Sequence, residues 1–218
     1  MNRVRVKVCG ITNKEDLKAA VDAGVDALGF VVDVPESPRN VSVDRAQNLV
    51  KAVPPFVQCV VVSVFKSREH LKALCSSVAP DAVQIAGTLP AADAVCGSLR
   101  GIQVIRTIAV NERTVPETAL RSATHCDAVL TDSSLPGVHG GTGTPHNWAI
   151  SRAIKDLIAP TPLILAGGLT AANVQTAIKI VRPYAVDVSS GVEARPGVKD
   201  YAKLRAFMEA VKEAHDGL

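Results

Sequence analysis

Short valine-rich runs alternate with stretches of helical spacing eight times along this chain, and that repeat limits the folds open to it more than any other feature. The strand-like runs fall at 4–9, 26–32, 57–64, 81–85, 102–107, 127–131, 162–166 and 185–189. Helical spacing fills 13–23, 43–52, 67–77, 90–97, 114–123, 147–157, 171–181 and 199–214. In the first of these Leu17, Ala20, Val21 and Gly24 share one face, while Lys14, Glu15, Lys18 and Asp22 face water. Ser67, the pair Asn111 and Thr114, and Thr170 mark helix starts; Ala23-Gly24 and Pro160-Thr161-Pro162 mark exits into strands. Eight units of about 27 residues are what a compact (β/α)8 TIM barrel requires. The expectation is therefore an α/β fold, one barrel domain over residues 1–218 with no linker or low-complexity stretch. A doubly wound open sheet is the alternative, but it binds its nucleotide at an early glycine-rich turn. Here the glycine clusters come late, after the sixth to eighth strands, which favours the barrel.

Composition agrees with a layered interior. Aromatic residues make up only 3% of the chain, so branched aliphatics must fill the core, as they do in buried parallel strands. The net charge of +3 suits a small anionic substrate. Basic residues form no dense block and are not interleaved with stacking aromatics, which argues against nucleic acid as a partner. The five cysteines (Cys9, Cys59, Cys75, Cys96 and Cys126) form no CxxC and no regular framework. With an N-terminus that enters a strand at once and has no apolar secretory core, they point to reduced thiols and a cytoplasmic location. The longest apolar tract, at 53–65, is broken by Pro54-Pro55 and Gln58 and cannot span a membrane.

Chemistry-bearing residues gather at strand ends, the rim on which barrel enzymes build their sites. Cys9 closes the first strand in Lys7-Val8-Cys9-Gly10-Ile11-Thr12. A lone cysteine in such a place is more often a small buried hydrophobe, so its company decides. Asp132 ends the sixth strand, three steps away around an eight-strand ring, and Asp187 is an acid inside the eighth strand that needs a partner or a role. A thiol base works only as thiolate; Lys7, two residues before Cys9, shares its strand face but does not by itself guarantee one. Arg39, in Ser37-Pro38-Arg39 after the second strand, has the fork that holds a carboxylate bidentately. Three glycine segments line the same rim: Gly140-Gly141-Thr142-Gly143, Ala166-Gly167-Gly168-Leu169 and Ser189-Ser190-Gly191-Val192. Backbone N–H groups in such loops approach an anion closely, which makes them candidates for a phosphate cradle.

These motifs, in this order and over nearly the whole chain, resemble the phosphoribosylanthranilate isomerase family of tryptophan biosynthesis. The resemblance is carried by Lys7-Val8-Cys9-Gly10-Ile11-Thr12, Ala27-Leu28-Gly29-Phe30-Val31, Ser37-Pro38-Arg39, Asp81-Ala82-Val83-Gln84-Ile85 and Asp132-Ser133. The three glycine segments, Val186-Asp187-Val188-Ser189-Ser190-Gly191-Val192-Glu193 and Pro196-Gly197-Val198-Lys199-Asp200 complete it. It implies an Amadori rearrangement of N-(5-phosphoribosyl)anthranilate to an aminoketose, with no cofactor and no metal. Carried over residue by residue, Asp132 is the general acid that opens the ribose ring and Cys9 the general base that takes the C2 proton. Arg39 holds the anthranilate carboxylate and Asp187 assists the sugar or amine region. Gly141, Thr142, Gly143, Gly167, Gly168, Ser190 and Gly191 hold the phosphate. The chain departs from the family pattern at Ala86, where histidine is usual, and at His146-Asn147-Trp148, where Phe-Asp-Trp is usual. It also departs in Gly137-Val138-His139.

Other readings fit less well. A histidine-pathway isomerase would carry aspartate where Cys9 stands, and an indole-glycerol-phosphate synthase would need lysine and glutamate on early strands. A non-catalytic phosphate-binding barrel would not need both Cys9 and Asp132. The five histidines show no ligand spacing backed by carboxylates, which argues against a metal enzyme. The chain is expected to act as a monomer or a homodimer.

Overall fold

A computed structural model describes residues 3–87, 99, 101–112, 114, 117–133 and 145–216. Eight parallel strands alternate with helices: β1 (Arg5–Cys9), α1 (Lys14–Asp22), β2 (Ala27–Val32), α2 (Val43–Val50), β3 (Gln58–Val64), α3 (Arg68–Val78), β4 (Ala82–Ala86) and β5 (Gln103–Val110). They continue with α4 (Glu117–Ala123), β6 (Ala128–Ser133), α5 (Trp148–Ile158), β7 (Leu163–Leu165), α6 (Val174–Val181), β8 (Ala185–Val188) and α7 (Tyr201–Asp216). Each strand pairs with its neighbours in chain order, and β1 pairs with both β2 and β8, so the sheet closes into a barrel. The expected fold is the observed one. The helix expected at 90–97 lies outside the described residues.

Alternation along the strands separates two cores. Val8, Leu28, Phe30 and Val61 point outward and meet Leu17, Leu71, Ile154 and Phe207 from the helices. Each such side chain contributes about 1.5–3 kcal/mol on leaving water. Inward-facing Ala27, Val60, Ala82, Ile105, Ala128 and Ile164 fill the barrel axis. Two residues further along the same faces the character changes. After Ala82, Ile105, Leu130 and Ala185 come Gln84, Thr107, Asp132 and Asp187. The barrel is thus dry at its N-terminal end and polar at its C-terminal mouth.

Local chemistry sets the register. Asp26, Asp81 and Asp127 each stand immediately before an alanine that begins a strand. Their carboxylates accept from the backbone N–H of Val6 (2.8 Å), Cys59 (2.7 Å) and Val104 (2.7 Å) on the preceding strand. The same device thereby joins β1 to β2, β3 to β4 and β5 to β6. Asn13, Ser42 and Ser67 cap α1, α2 and α3 by accepting from backbone N–H groups in the first turn.

Three expectations are corrected. Helix α6 begins at Val174, not near Thr170, because the Asn173 side chain is spent on the loop, accepting from Thr170 N (2.8 Å) and donating to the Gly168 carbonyl (2.9 Å). After β8 the chain makes a 3-10 turn, Ser190–Val192, and an antiparallel hairpin of Glu193–Arg195 with Val198–Lys199; this small hairpin was not foreseen. Cys9, Cys59 and Cys75 are free, but Cys126 is disulfide-bonded, against the expectation of five reduced thiols. Among the described residues no helix is long and apolar enough to cross a membrane.

Candidate active site

The alternation that sends Val6 and Val8 outward turns Lys7 and Cys9 into the barrel mouth. Lys7 Nζ donates to Asp187 Oδ1 on β8 at 2.9 Å, with both side chains buried. The same ammonium stands beside the Cys9 sulfur, both lying within about 3 Å of where a Cβ on Gly29 would sit. Burial works against charge on Lys7, but Asp187 and Cys9 hold it above its ordinary lysine value. For Cys9, burial dominates and holds the thiol above its ordinary value; Lys7 opposes that rise, Asp187 adds to it and Lys199 opposes it.

Asp132 lies near the end of β6, separated from β1 by β7 and β8 around the ring. Burial first, and the Asp187 charge second, push its carboxyl up to about 6, against the Ser133 N–H and Lys7. A carboxyl in that range keeps a proton available near neutral pH, as a general acid must. Cys9 and Asp132 each interact with both members of the Lys7–Asp187 pair. The structure therefore brings the four strand-borne residues singled out from the sequence into one electrostatic unit.

Arg39 joins them from the loop after β2, but not as foreseen. Its Nε and Nη2 donate to the two Glu193 carboxylate oxygens at 2.8 and 2.7 Å, so the fork expected for a substrate carboxylate is engaged by the protein itself. Lys199 Nζ reaches Glu193 Oε1 at 3.1 Å and the Cys9 carbonyl at 2.6 Å. Glu193 and Lys199 stand in motifs that carry the family resemblance but have no role in the sequence reading, which does not show the hairpin that carries them. The signal available was two charges bracketing the Pro196-Gly197 turn. Gly29 was also passed over. A Cβ there would stand 2.9 Å from Cys9 Sγ and 3.1 Å from Lys7 Nζ, so the absence of a side chain makes room for the pair.

Of the glycine segments, Gly141, Thr142 and Gly143 lie outside the described residues. The other two are adjacent. A Cβ on Gly191 would overlap the Leu169 carbonyl oxygen, so the loops after β7 and β8 touch and form one surface. Gly167 and Gly168 adopt φ of 91° and 62°, a conformation that favours glycine. At the departure His146-Asn147, the ring of His146 bridges Ser133 Oγ (3.1 Å) and Ser151 Oγ (2.6 Å), and Ser151 donates to Thr131 Oγ1 (2.9 Å). Burial brings His146 down to about 4, so it is neutral at pH 7. This chain of hydrogen bonds grips β6 on both sides of Asp132.

A (β/α)8 barrel with a raised carboxyl, a thiol and a buried ion pair at its C-terminal mouth has the groups that proton transfer within a bound substrate calls for. The profile of the family described as N-(5'phosphoribosyl)anthranilate (PRA) isomerase matches residues 6–210. An N-(5'-phosphoribosyl)anthranilate isomerase of Halobacterium salinarum is 48% identical over 209 residues, 94% of each chain. The crystal structure of the Thermotoga maritima phosphoribosyl anthranilate isomerase superposes with a TM-score of 0.85 at 40% identity, covering 96% of this chain and 99% of that one. A phosphoribosyl anthranilate isomerase solved with reduced 1-(o-carboxyphenylamino)-1-deoxyribulose 5-phosphate gives 0.82 at 38% identity, with the same coverage. Monomers generated from the dimeric Thermotoga maritima enzyme give 0.81 at 34%, again over 96% and 99%. The chain belongs to the N-(5'-phosphoribosyl)anthranilate isomerase family, aldose–ketose isomerases of tryptophan biosynthesis.

Proposed function

We propose that Cys9 and Asp132 carry the rearrangement of N-(5'-phosphoribosyl)anthranilate as base and acid. Asp132 gives its proton to the ribose ring oxygen; the C1–O bond breaks and the anthranilate nitrogen donates its lone pair to form an iminium. That cation makes the neighbouring C2–H acidic, so a modest base suffices. Cys9 as thiolate takes the C2 proton, and the resulting enolamine tautomerises to the 1-amino-ketose. Hydrogen moves within one substrate, and the net oxidation state of the molecule does not change.

The observation that carries this reading is the Lys7–Asp187 pair between the two groups, with Asp132 held at about 6. Asp187 faces the sugar or amine region. Arg39, oriented by Glu193, offers its remaining N–H edge to the anthranilate carboxylate. The phosphate falls to Gly167, Gly168, Ser190 and Gly191, with Gly141, Thr142 and Gly143 completing the cradle. Cytoplasmic work on a small phosphorylated metabolite fits this role. For assembly a homodimer is the reading, by analogy with the dimeric Thermotoga maritima enzyme, and the wholly exposed Phe56 in the loop between α2 and β3 is the contact residue to test.

Following loss of phosphoribosylanthranilate fluorescence tests the assignment. Cys9→Ala and Asp132→Asn are each expected to lower kcat by about 10²-fold or more with the fold intact. Near-normal turnover in either purified variant would overturn the corresponding role.

A further inference from the structure

Lys7 is an unusual residue to find inside a barrel. Its side chain is 4% exposed, and an ammonium so placed is costly unless it is paired and hydrogen-bonded. Asp187 supplies the pairing. Neutralising Asp187 does not by itself require a place next to a sulfur, yet the Lys7 ammonium and the Cys9 sulfur flank the same point over Gly29. Three strands converge to build this arrangement. β8 brings Asp187, β1 brings Lys7 and Cys9, and β2 brings Gly29, whose missing side chain leaves both Sγ and Nζ within about 3 Å of one point.

We infer that Lys7 is a positioning residue for the reaction: its ammonium, fixed by Asp187, lies against the Cys9 sulfur and stabilises the thiolate that takes the C2 proton. The inference rests on the reading of Cys9 as base. In the step itself the C2–H bond breaks and the S–H bond forms. The C–H electron pair becomes the C1–C2 double bond as the iminium nitrogen regains its lone pair, and Lys7 keeps its protons throughout. The other charged groups around the sulfur do not replace Lys7. Asp187 opposes a thiolate, Lys199 favours it but is committed to Glu193 and to the Cys9 and Ser189 carbonyls, and Arg39 is committed to Glu193. Asp132 acts on the Lys7–Asp187 pair from β6.

Peptide-resolved alkylation of Cys9 by iodoacetamide across pH, beside steady-state kinetics, tests the inference in the intact enzyme. Lys7→Gln is expected to move the alkylation midpoint of Cys9 up by about one pH unit or more. It should lower kcat by about tenfold or more while KM changes by less than about threefold. Lys7→Arg, which keeps the charge, is expected to stay within about half a pH unit of the parent. A folded Lys7→Gln enzyme with an unchanged midpoint and unchanged kcat overturns the role of Lys7 and leaves that of Cys9 standing. Normal turnover by Cys9→Ala overturns the reading beneath it. Should Lys7→Gln fail to fold, the parent enzyme decides. Cys59 and Cys75 are pushed up to about 12 and about 11 by burial. Alkylation of Cys9 with a midpoint below both supports the inference, and a midpoint at or above theirs overturns it.

Discussion

The raised Asp132 carboxyl, which suits the acid proposed for the reaction, comes at the expense of stability. Its protonated form is favoured in the folded barrel, so the stability it contributes is whole below its ordinary value of 3.8. That contribution is lost as pH rises through about 6. Above that range an ionised carboxylate beside Asp187 costs up to about 3 kcal/mol. Asp132→Asn should therefore melt several degrees above the parent at pH 8, with the gap closing toward pH 4; thermal unfolding across pH checks this. A melting gap independent of pH would contradict the electrostatic account. At this scale much of the site was legible. Cys9, Asp132 and Asp187 stand at or near strand ends, and period-two alternation alone tells which way they face. Lys7 was visible by the same rule, but not its place beside the sulfur, which depends on a glycine in the neighbouring strand.

Among the elements, the strands and most helices were legible because valine runs and helical spacing are local signals. Helix α3 starts where Ser67 said it would. The hairpin after β8 was not legible. Its strands are two and three residues long, too short for any period to show, and they are held by tertiary bonds. Its importance is nonetheless considerable, since Glu193 satisfies the buried Lys199 and the half-buried Arg39 at once. Glu193→Ala would leave Arg39 and Lys199 without their carboxylate. The expected cost is about 3 kcal/mol, read as a fall in denaturation midpoint. Because burial, which raises the Glu193 carboxyl, is outweighed by Arg39 and Lys199, Glu193 titrates below its ordinary value. The stability it contributes is present at neutral pH and lost on acidification, so the variant and parent should converge at low pH. Equal midpoints at pH 7 would mean that the cations find other partners.

For the molecule as a whole, composition foretold an aliphatic barrel, and eight repeats foretold its closure. Assembly was left open between monomer and homodimer, because no pattern in a single sequence reports which surface meets a second copy. The proposed homodimer makes the exposed Phe56 a residue to test. Light scattering during gel filtration should give the mass of two chains, and Phe56→Ser should shift the population toward one chain without altering kcat. A parent that runs as a single chain at micromolar concentration would remove the assembly proposal. The way the sheet closes has a separate bearing on how this enzyme becomes active. β1 is the first strand of the chain and the seam that joins β2 to β8. It also delivers Lys7 and Cys9 to the mouth. A chain with every other element in place but β1 undocked has an open edge and lacks the proposed base, so on that proposal turnover reports docking of the seam. Supplying the first strand and helix as a separate peptide to the remainder of the chain would then switch activity from nothing to measurable in a single association event.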